Sequence, residues 1–280
     1  MLKRLYFLLS TLSVSLLLLA ACQNSDNKTR KTDNQTDSAD IRIALMPIEE
    51  CAPFYFAQEA GIYDSLGIQV RLVTYNSQFD CDTAIMNQRV DMSISDKNRM
   101  TTYGTKAKMW EEFNSLSGQW GLAVSGQLRV RKPKDLNNRL IGTSRLSASN
   151  WWLQHFLNEL KIEEEDIFQI QINDIPLRLR MLLNNQIDAA ILPEPYLSIA
   201  RLNGAKIMAE AKNLYAAPSV MLVNDKDKQD ARKKVVLDKV KAAYRTSLFR
   251  MKSYPKPIKD SVLTKYYQIP AALRDSVRLQ

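Results

Sequence analysis

Histidine is almost missing from this 280-residue chain, which holds one, His155, and only three cysteines, Cys22, Cys51 and Cys81. So few ligating side chains, none at ligand spacing, leave no metal motif and no Ser-His-Asp arrangement. His155 falls in mid-helix, where a structural role is expected. Glycine is scarce as well, at 8 residues, and no glycine-rich phosphate loop occurs. Together these gaps imply no cofactor. The chain also lacks a basic stripe interleaved with aromatics. Its net charge of +9 is scattered, and the densest cluster, Lys226 to Lys241, alternates in sign, so no nucleic-acid partner is expected. What remains is ordinary globular material, 45% hydrophobic and 25% charged.

The N-terminus is the first positive signal. Lys3 and Arg4 precede an apolar stretch, Leu5 to Leu19, which ends in Leu19-Ala20-Ala21-Cys22. That pattern reads as a signal peptide over residues 1–21, and its end resembles the bacterial lipobox. The resemblance implies acylation of Cys22 and a lipid anchor, since two or more acyl chains hold a protein stably on a membrane. Residues 22–40 then carry no large apolar side chain and read as a flexible tether. Export implies an oxidising compartment, in which Cys51 and Cys81 can pair.

From Ile41 the pattern alternates. Strands over Ile41–Leu45, Ile68–Tyr75 and Val90–Ser95 enclose helices over Ala52–Tyr63 and Ala84–Gln88, the second capped by Asp80 or Asp82. The order then repeats: strands at Arg139–Thr143, Phe168–Ile172 and Ile187–Leu192, helices at Ser147–Leu160 and Pro176–Leu183. Such alternation implies parallel sheets with helices on their faces. Two stretches, MNQRVDMSISD (residues 86–96) and LNNQIDAAILPE (183–194), read almost alike, as the third strands of two similar α/β units.

The segments Ala-Pro-Phe-Tyr-Phe-Ala-Gln-Glu-Ala-Gly-Ile-Tyr, Leu-Gly-Ile-Gln-Val, Val-Asp-Met-Ser-Ile-Ser-Asp, Lys-Asp-Leu-Asn-Asn-Arg-Leu-Ile-Gly and Gln-Ile-Asp-Ala-Ala-Ile-Leu-Pro-Glu-Pro-Tyr follow one another in this order. The sequence thereby resembles the solute-binding proteins of ABC importers, in the NMT1/THI5-like branch that takes sulfonates, taurine, nitrate and thiamine-precursor pyrimidines. The resemblance spans residues 41 to about 225. It implies an α/β, two-lobed periplasmic-binding-protein type 2 fold, each lobe a mostly parallel sheet flanked by helices. Lobe one is expected over 41–122 and 216–280 and lobe two over 123–215, with crossings near Gln119–Ser125 and Ser219–Val223. Relatives carry Gly in the turn before each Asp; here Asn87 and Asn184-Asn185 stand there, and Asn tolerates left-handed backbone.

In parallel α/β sheets ligands sit beyond the carboxyl ends of the strands. That rule selects Glu49, Glu50 and Cys51, then Gln78 and Asp80, then Ser95 and Asp96 in the first unit. In the second it selects Ser144, Arg145, Ser147, Ser149 and Trp151, then Glu194 and Tyr196. Ser147 or Ser149 serves either as a helix N-cap or, with Arg145, as an anion site, since both use the same geometry. Trp151 is read as a cleft wall or as core, and Glu194 as a ligand contact or a brace for its own loop. In the family order strands one and two are neighbours, so a Cys51–Cys81 disulfide at the cleft floor is expected, with free buried thiols or reactive thiols at helix starts as the alternatives. The many carboxylates lean towards a ligand bearing hydrogen-bond donors.

The resemblance implies a monomeric, non-enzymatic protein of the cell envelope, lipid-anchored on the periplasmic side. It would capture a small solute (sulfonate, nitrate, aminopyrimidine or zwitterion) and deliver it to an ABC permease. An exported ligand sensor or partner-binding lipoprotein is the alternative, and an enzyme on the same fold a more distant one.

Overall fold

Two five-stranded sheets are built on one plan, which the computed structural model describes for residues 39–96, 99, 107–112, 119–211, 219–277 and 279. The expected signal peptide, Cys22 and the tether up to residue 38 lie outside the described residues. The strands are β1 (Ile41–Leu45), β2 (Val70–Thr74), β3 (Met92–Asp96), β4 (Ala107–Glu112), β5 (Trp120–Val124), β6 (Leu140–Thr143), β7 (Phe168–Gln171), β8 (Ala189–Pro193), β9 (Lys206–Glu210) and β10 (Ser219–Asn224). Sheet one has the order β2-β1-β3-β10-β4 and sheet two the order β7-β6-β8-β5-β9. In each, three parallel strands are followed by an antiparallel one, β10 or β5. The stretches expected as crossings are therefore these antiparallel strands, fourth in their sheets.

Helices cover the sheets: α1 (Ala52–Glu59), α2 (Ile62–Ser65), α3 (Gln78–Met86), α4 (Ala148–Leu160), α5 (Ile175–Leu183), α6 (Tyr196–Leu202), α7 (Asp225–Gln229), α8 (Ala231–Arg250) and α9 (Lys256–Lys265). Strand β1 is apolar on both faces because helices lie on both, and Ile41, Ile43, Ala44 and Leu45 are all buried. The C-terminal helices close over α1. Phe54 meets Tyr244 of α8 at 4.7 Å, and Tyr55 stacks on Tyr266 at 4.2 Å. Glu59 takes bonds from Ser261, Lys265 and Tyr266.

The recurrent Asp of the two similar stretches has one job in both units. Asp91 accepts the Arg42 amide of β1 at 2.8 Å, and Asp188 accepts the Leu140 amide of β6 at 2.9 Å. In return, each Asp amide donates to the carbonyl of that same residue. The side chain thus caps the free start of the neighbouring parallel strand, where a ladder partner is missing.

Three local expectations are corrected. The cap of α3 is Ser77, whose Oγ accepts the Asp80 amide at 3.1 Å and donates to the Asp80 carboxylate at 2.6 Å. The helix therefore starts well before Ala84. The left-handed residue before β3 is Gln88 (φ 55°) rather than Asn87, whereas before β8 it is Asn185 (φ 58°). The single helix expected over Ala52–Tyr63 is broken at Gly61, whose φ of 67° a Cβ-bearing residue resists.

Candidate functional site

The carboxyl ends of the parallel strands of both sheets converge on one cleft. It is lined by Met46, Ile48, Gln78 and Asp96 from the sheet-one side and by Trp120, Ser144, Ser147, Ala148, Ser149, Asn173, Ile175 and Arg178 from the sheet-two side. Its free volume is about 20 Å³, little more than one water occupies. Hydrogen bonds cross it along its length. Asp96 Oδ2 accepts the Ala148 amide at 2.9 Å. Arg99 donates to the Leu146 carbonyl at 2.5 Å, and the Ile175 amide to the Asn76 carbonyl at 3.0 Å. The Asn76 side chain donates to Asp174 at 3.1 Å, and the Glu49 amide to the Glu194 carbonyl at 3.1 Å. The cleft is shut, and admitting anything larger than water requires the two sides to part.

Asp96 ends β3 because the strand runs straight into the cleft; it is only 3% exposed. Its acceptor contact is the first amide of α4, a thirteen-residue helix whose aligned peptide dipoles favour negative charge there. Burial nevertheless raises its pKa to about 7; the Ala148 amide and the charge of Arg99 oppose the rise and Asp82 adds to it. Glu50 is also 3% exposed. Its Oε1 accepts Trp120 Nε1 at 3.4 Å, while Oε2 is buried with no hydrogen-bond partner. Burial lifts this carboxyl to about 7 as well, with the nearby charge of Asp96 adding to the lift. Asp82 stays paired: Arg99 lies 2.6 Å away and Gln78 Nε2 donates to it at 2.8 Å.

Facing them, the serines of α4's entry satisfy one another. Ser149 Oγ accepts the Ser144 amide at 2.9 Å and the Thr143 hydroxyl at 3.2 Å. Ser147 donates to the Ser144 carbonyl at 2.7 Å, and Ser144 Oγ donates to Asn173 at 2.9 Å. Ser147 occupies the N-cap position, yet its side chain makes no cap bond. Arg178, 1% exposed, spends its guanidinium on the carbonyls of Ile172 (2.7 and 3.1 Å) and Ile191 (2.7 Å). Burial lowers its pKa to about 9, which leaves it cationic at neutral pH. Gly142 makes room for it, because a Cβ there would meet Arg178 Cγ at 3.2 Å and Ile187 Cδ1 at 2.8 Å.

Of the residues selected from sequence, Gln78, Asp96, Ser144, Ser147 and Ser149 line the cleft. Glu49, Glu50 and Ser95 are buried just behind it, Ser95 donating to Asp82 at 3.3 Å. The others fall elsewhere. Asp80 is an exposed partner of the α3 cap, and Arg145 is exposed. Trp151 packs against the second core and stacks on His155 at 5.6 Å, while its neighbour Trp152 is fully buried. Glu194 braces its own loop by accepting the amide and hydroxyl of Ser198 at 3.0 and 2.9 Å, and Tyr196 is core. Trp120, Asn173, Ile175 and Arg178 line the cleft without having been selected.

The expected Cys51–Cys81 bridge is not formed. Both thiols are free and fully buried in the core of sheet one. Burial pushes both well above the ordinary cysteine value, so it outweighs any help the nearby helix starts give a thiolate. They pack as small apolar groups. Among the described residues no group of three or more His, Cys, Asp or Glu side chains is placed to hold a metal ion.

Comparison with known proteins supplies the context. The profile described as NMT1/THI5 like matches residues 49–245. No curated protein matches the chain. Several solved structures share its fold at low identity. The alkanesulfonate-binding protein SsuA from Xanthomonas axonopodis pv. citri, bound to MOPS, is 15% identical with a TM-score of 0.68, over 84% of this chain and 81% of that one. The ligand-binding component of an ABC-type import system from Staphylococcus aureus is 18% identical (TM-score 0.67, 84% and 82%). The periplasmic nitrate-binding protein NrtA from Synechocystis PCC 6803 is 14% identical (TM-score 0.66, 85% and 68%).

Proposed function

This chain belongs to the NMT1/THI5-like family, and from that premise we propose that it is an extracytoplasmic solute-binding protein that captures a small polar solute between its lobes and delivers it to an ABC importer. The observation that carries the reading is the cleft itself. Its walls come from two sheets of one plan, at the strand ends where α/β folds place ligands, and a hydrogen bond shuts it where Asp96 meets the α4 entry. Binding then needs no covalent step: the lobes part, the solute replaces the contacts across the cleft, and closure excludes water. The solved relatives that bind alkanesulfonate and nitrate support a small polar cargo. The N-terminal Leu-Ala-Ala-Cys supports a lipid anchor at Cys22 on the periplasmic side of the cell envelope, from which the loaded protein reaches its permease.

The test is thermal unfolding of the soluble form, beginning after Cys22, against sulfonates, nitrate, aminopyrimidines and amino acids. A cargo at about a hundred times its dissociation constant adds roughly 2.7 kcal/mol, a rise of about 5 °C or more for a chain this size. One compound class should give that rise. Silence across the whole panel sinks the reading, and a ligand sensor or partner-binding lipoprotein takes its place.

A further inference from the structure

Resting on that solute-binding reading, we infer that the cleft selects a small organic cation bearing N–H donors and rejects oxyanions, because the chain's own Asp96 occupies the anion position at the head of α4 while Glu50 waits beside it with an unpartnered oxygen.

The donors that an oxyanion would need are committed. The Ala148 amide is held by Asp96. The hydroxyls of Thr143, Ser144 and Ser147 donate to protein acceptors within the same turn or to Asn173. Arg178 is bound to two backbone carbonyls. An incoming sulfonate or nitrate would have to evict Asp96 into a buried space that already holds Asp82 and Glu50, and charges of one sign at close range repel. The acceptors, by contrast, are in surplus. Glu50 Oε2 is buried and unpartnered, on the wall that Trp120 shares with the cleft. If the carboxyl is ionised, Oε2 is an unmatched acceptor; if it is protonated and the proton sits there, Oε2 is an unmatched donor. A cationic N–H group from a solute donates to the ionised carboxylates of Glu50 and Asp96 at once, and its charge favours that ionised form over the protonated one. The charges facing this pair are Asp82, matched by Arg99, and Arg178, matched by carbonyls. Carbonyls occupy the Arg178 donors and leave its charge, so with Asp82 balanced by Arg99 the two ionised carboxylates of the pair exceed the facing positive charge by one.

The experiment titrates the soluble chain with methylguanidinium and methylammonium as cation-class probes and with methanesulfonate and nitrate as oxyanions, by calorimetry and thermal shift. The same series is run on Asp96→Asn and Glu50→Gln. Wild type should bind a cation-class probe and neither oxyanion. Each variant should weaken cation binding at least tenfold, and Asp96→Asn should gain oxyanion binding, because a neutral amide oxygen yields the Ala148 amide to an oxyanion without the like-charge repulsion that Asp96 brings. Asparagine keeps an acceptor for the Ala148 amide, so the unfolding midpoint of that variant checks that the fold is intact. Wild-type binding of methanesulfonate or nitrate, unaffected by Asp96→Asn, would overturn the inference and leave the solute-binding reading standing. Silence of wild type towards both probe classes would overturn the inference as well. The wider reading falls only if the aminopyrimidines, the amino acids and the rest of the sulfonate panel are silent too.

Discussion

Asp96 and Ala148, fifty-two residues apart, are joined across the cleft by a 2.9 Å hydrogen bond from the Ala148 amide to the Asp96 carboxylate. A strand end of sheet one thereby plugs a helix start beside sheet two. The same carboxylate is buried and close to Glu50, and both are lifted to about 7. Closure and charge state are therefore linked.

The link fixes a pH dependence. Between about pH 4 and pH 7 the unfolded chain ionises these two carboxyls before the folded protein does, so the folded state binds more protons and stability falls as pH rises. Above about 7 the penalty is constant. The loss is on the order of 3–4 kcal/mol for each carboxyl at a shift of this size. The midpoint of thermal unfolding should be higher at pH 5.5 than at pH 8, and the difference should shrink in Asp96→Asn with Glu50→Gln. An unfolding midpoint that is flat over this range contradicts the assignment. Asp91 and Glu59, both held below the carboxylate range by partners that outweigh their burial, act oppositely, but only at lower pH.

Arg178 ties the turn after β7 to β8 through carbonyls alone. Replacing it with Met keeps much of its bulk and strands those buried acceptors, at a cost of about 1–3 kcal/mol each where water cannot reach them. Urea unfolding should show a clear loss of stability for Arg178→Met. A change below half a kcal/mol, roughly the range of neutral surface substitutions, would mean that the carbonyls find other partners.

Asp188 sits in the most family-like stretch of the sequence, yet its carboxylate serves the Leu140 amide, as Asp91 serves Arg42. Asp188→Ala and Asp91→Ala should each destabilise the fold by about 1–3 kcal/mol. Asp91→Ala should cost more, since Arg42 pairs with it at 3.1 Å and Lys233 lies at 3.9 Å. Equal binding of whatever cargo the thermal panel finds, before and after Asp188→Ala, would confine that residue to a structural role.

The thiols give a direct count. The soluble chain beginning after Cys22 should leave Cys51 and Cys81 unlabelled by an alkylating reagent while folded, and label at both once unfolded in the absence of reductant. Protection that persists after unfolding and is relieved only by reductant would restore the disulfide.

Periodicity carried the parallel strands and most helices, because a buried strand or an amphipathic helix writes its pattern locally. It could not reveal β4 or β9, whose assignment depends on the neighbours they pair with, β10 and β5. The strand-end rule selected Asp96, Gln78 and the α4 serines, which line the cleft, for the same local reason. It missed Trp120 and Arg178, since Trp120 lies at the start of an antiparallel strand and Arg178 inside a helix. It overreached with Arg145, Asp80 and Trp151. Sequence places these near a strand end but does not say which way the side chain turns, and here solvent, a cap and a second core claim them. The pairing of Asp96 with Ala148 needed both lobes to be seen at once.

Strand β10 lies between β3 and β4, although more than a hundred residues of chain separate it from either. During translation sheet one therefore waits with two open edges until Ser219–Asn224 has left the ribosome. The first half of the nascent chain has no finished core to collapse onto for most of its synthesis. A topology of this kind puts its long-range pairing last, and leaves strand edges unpaired until the final quarter of the chain is made.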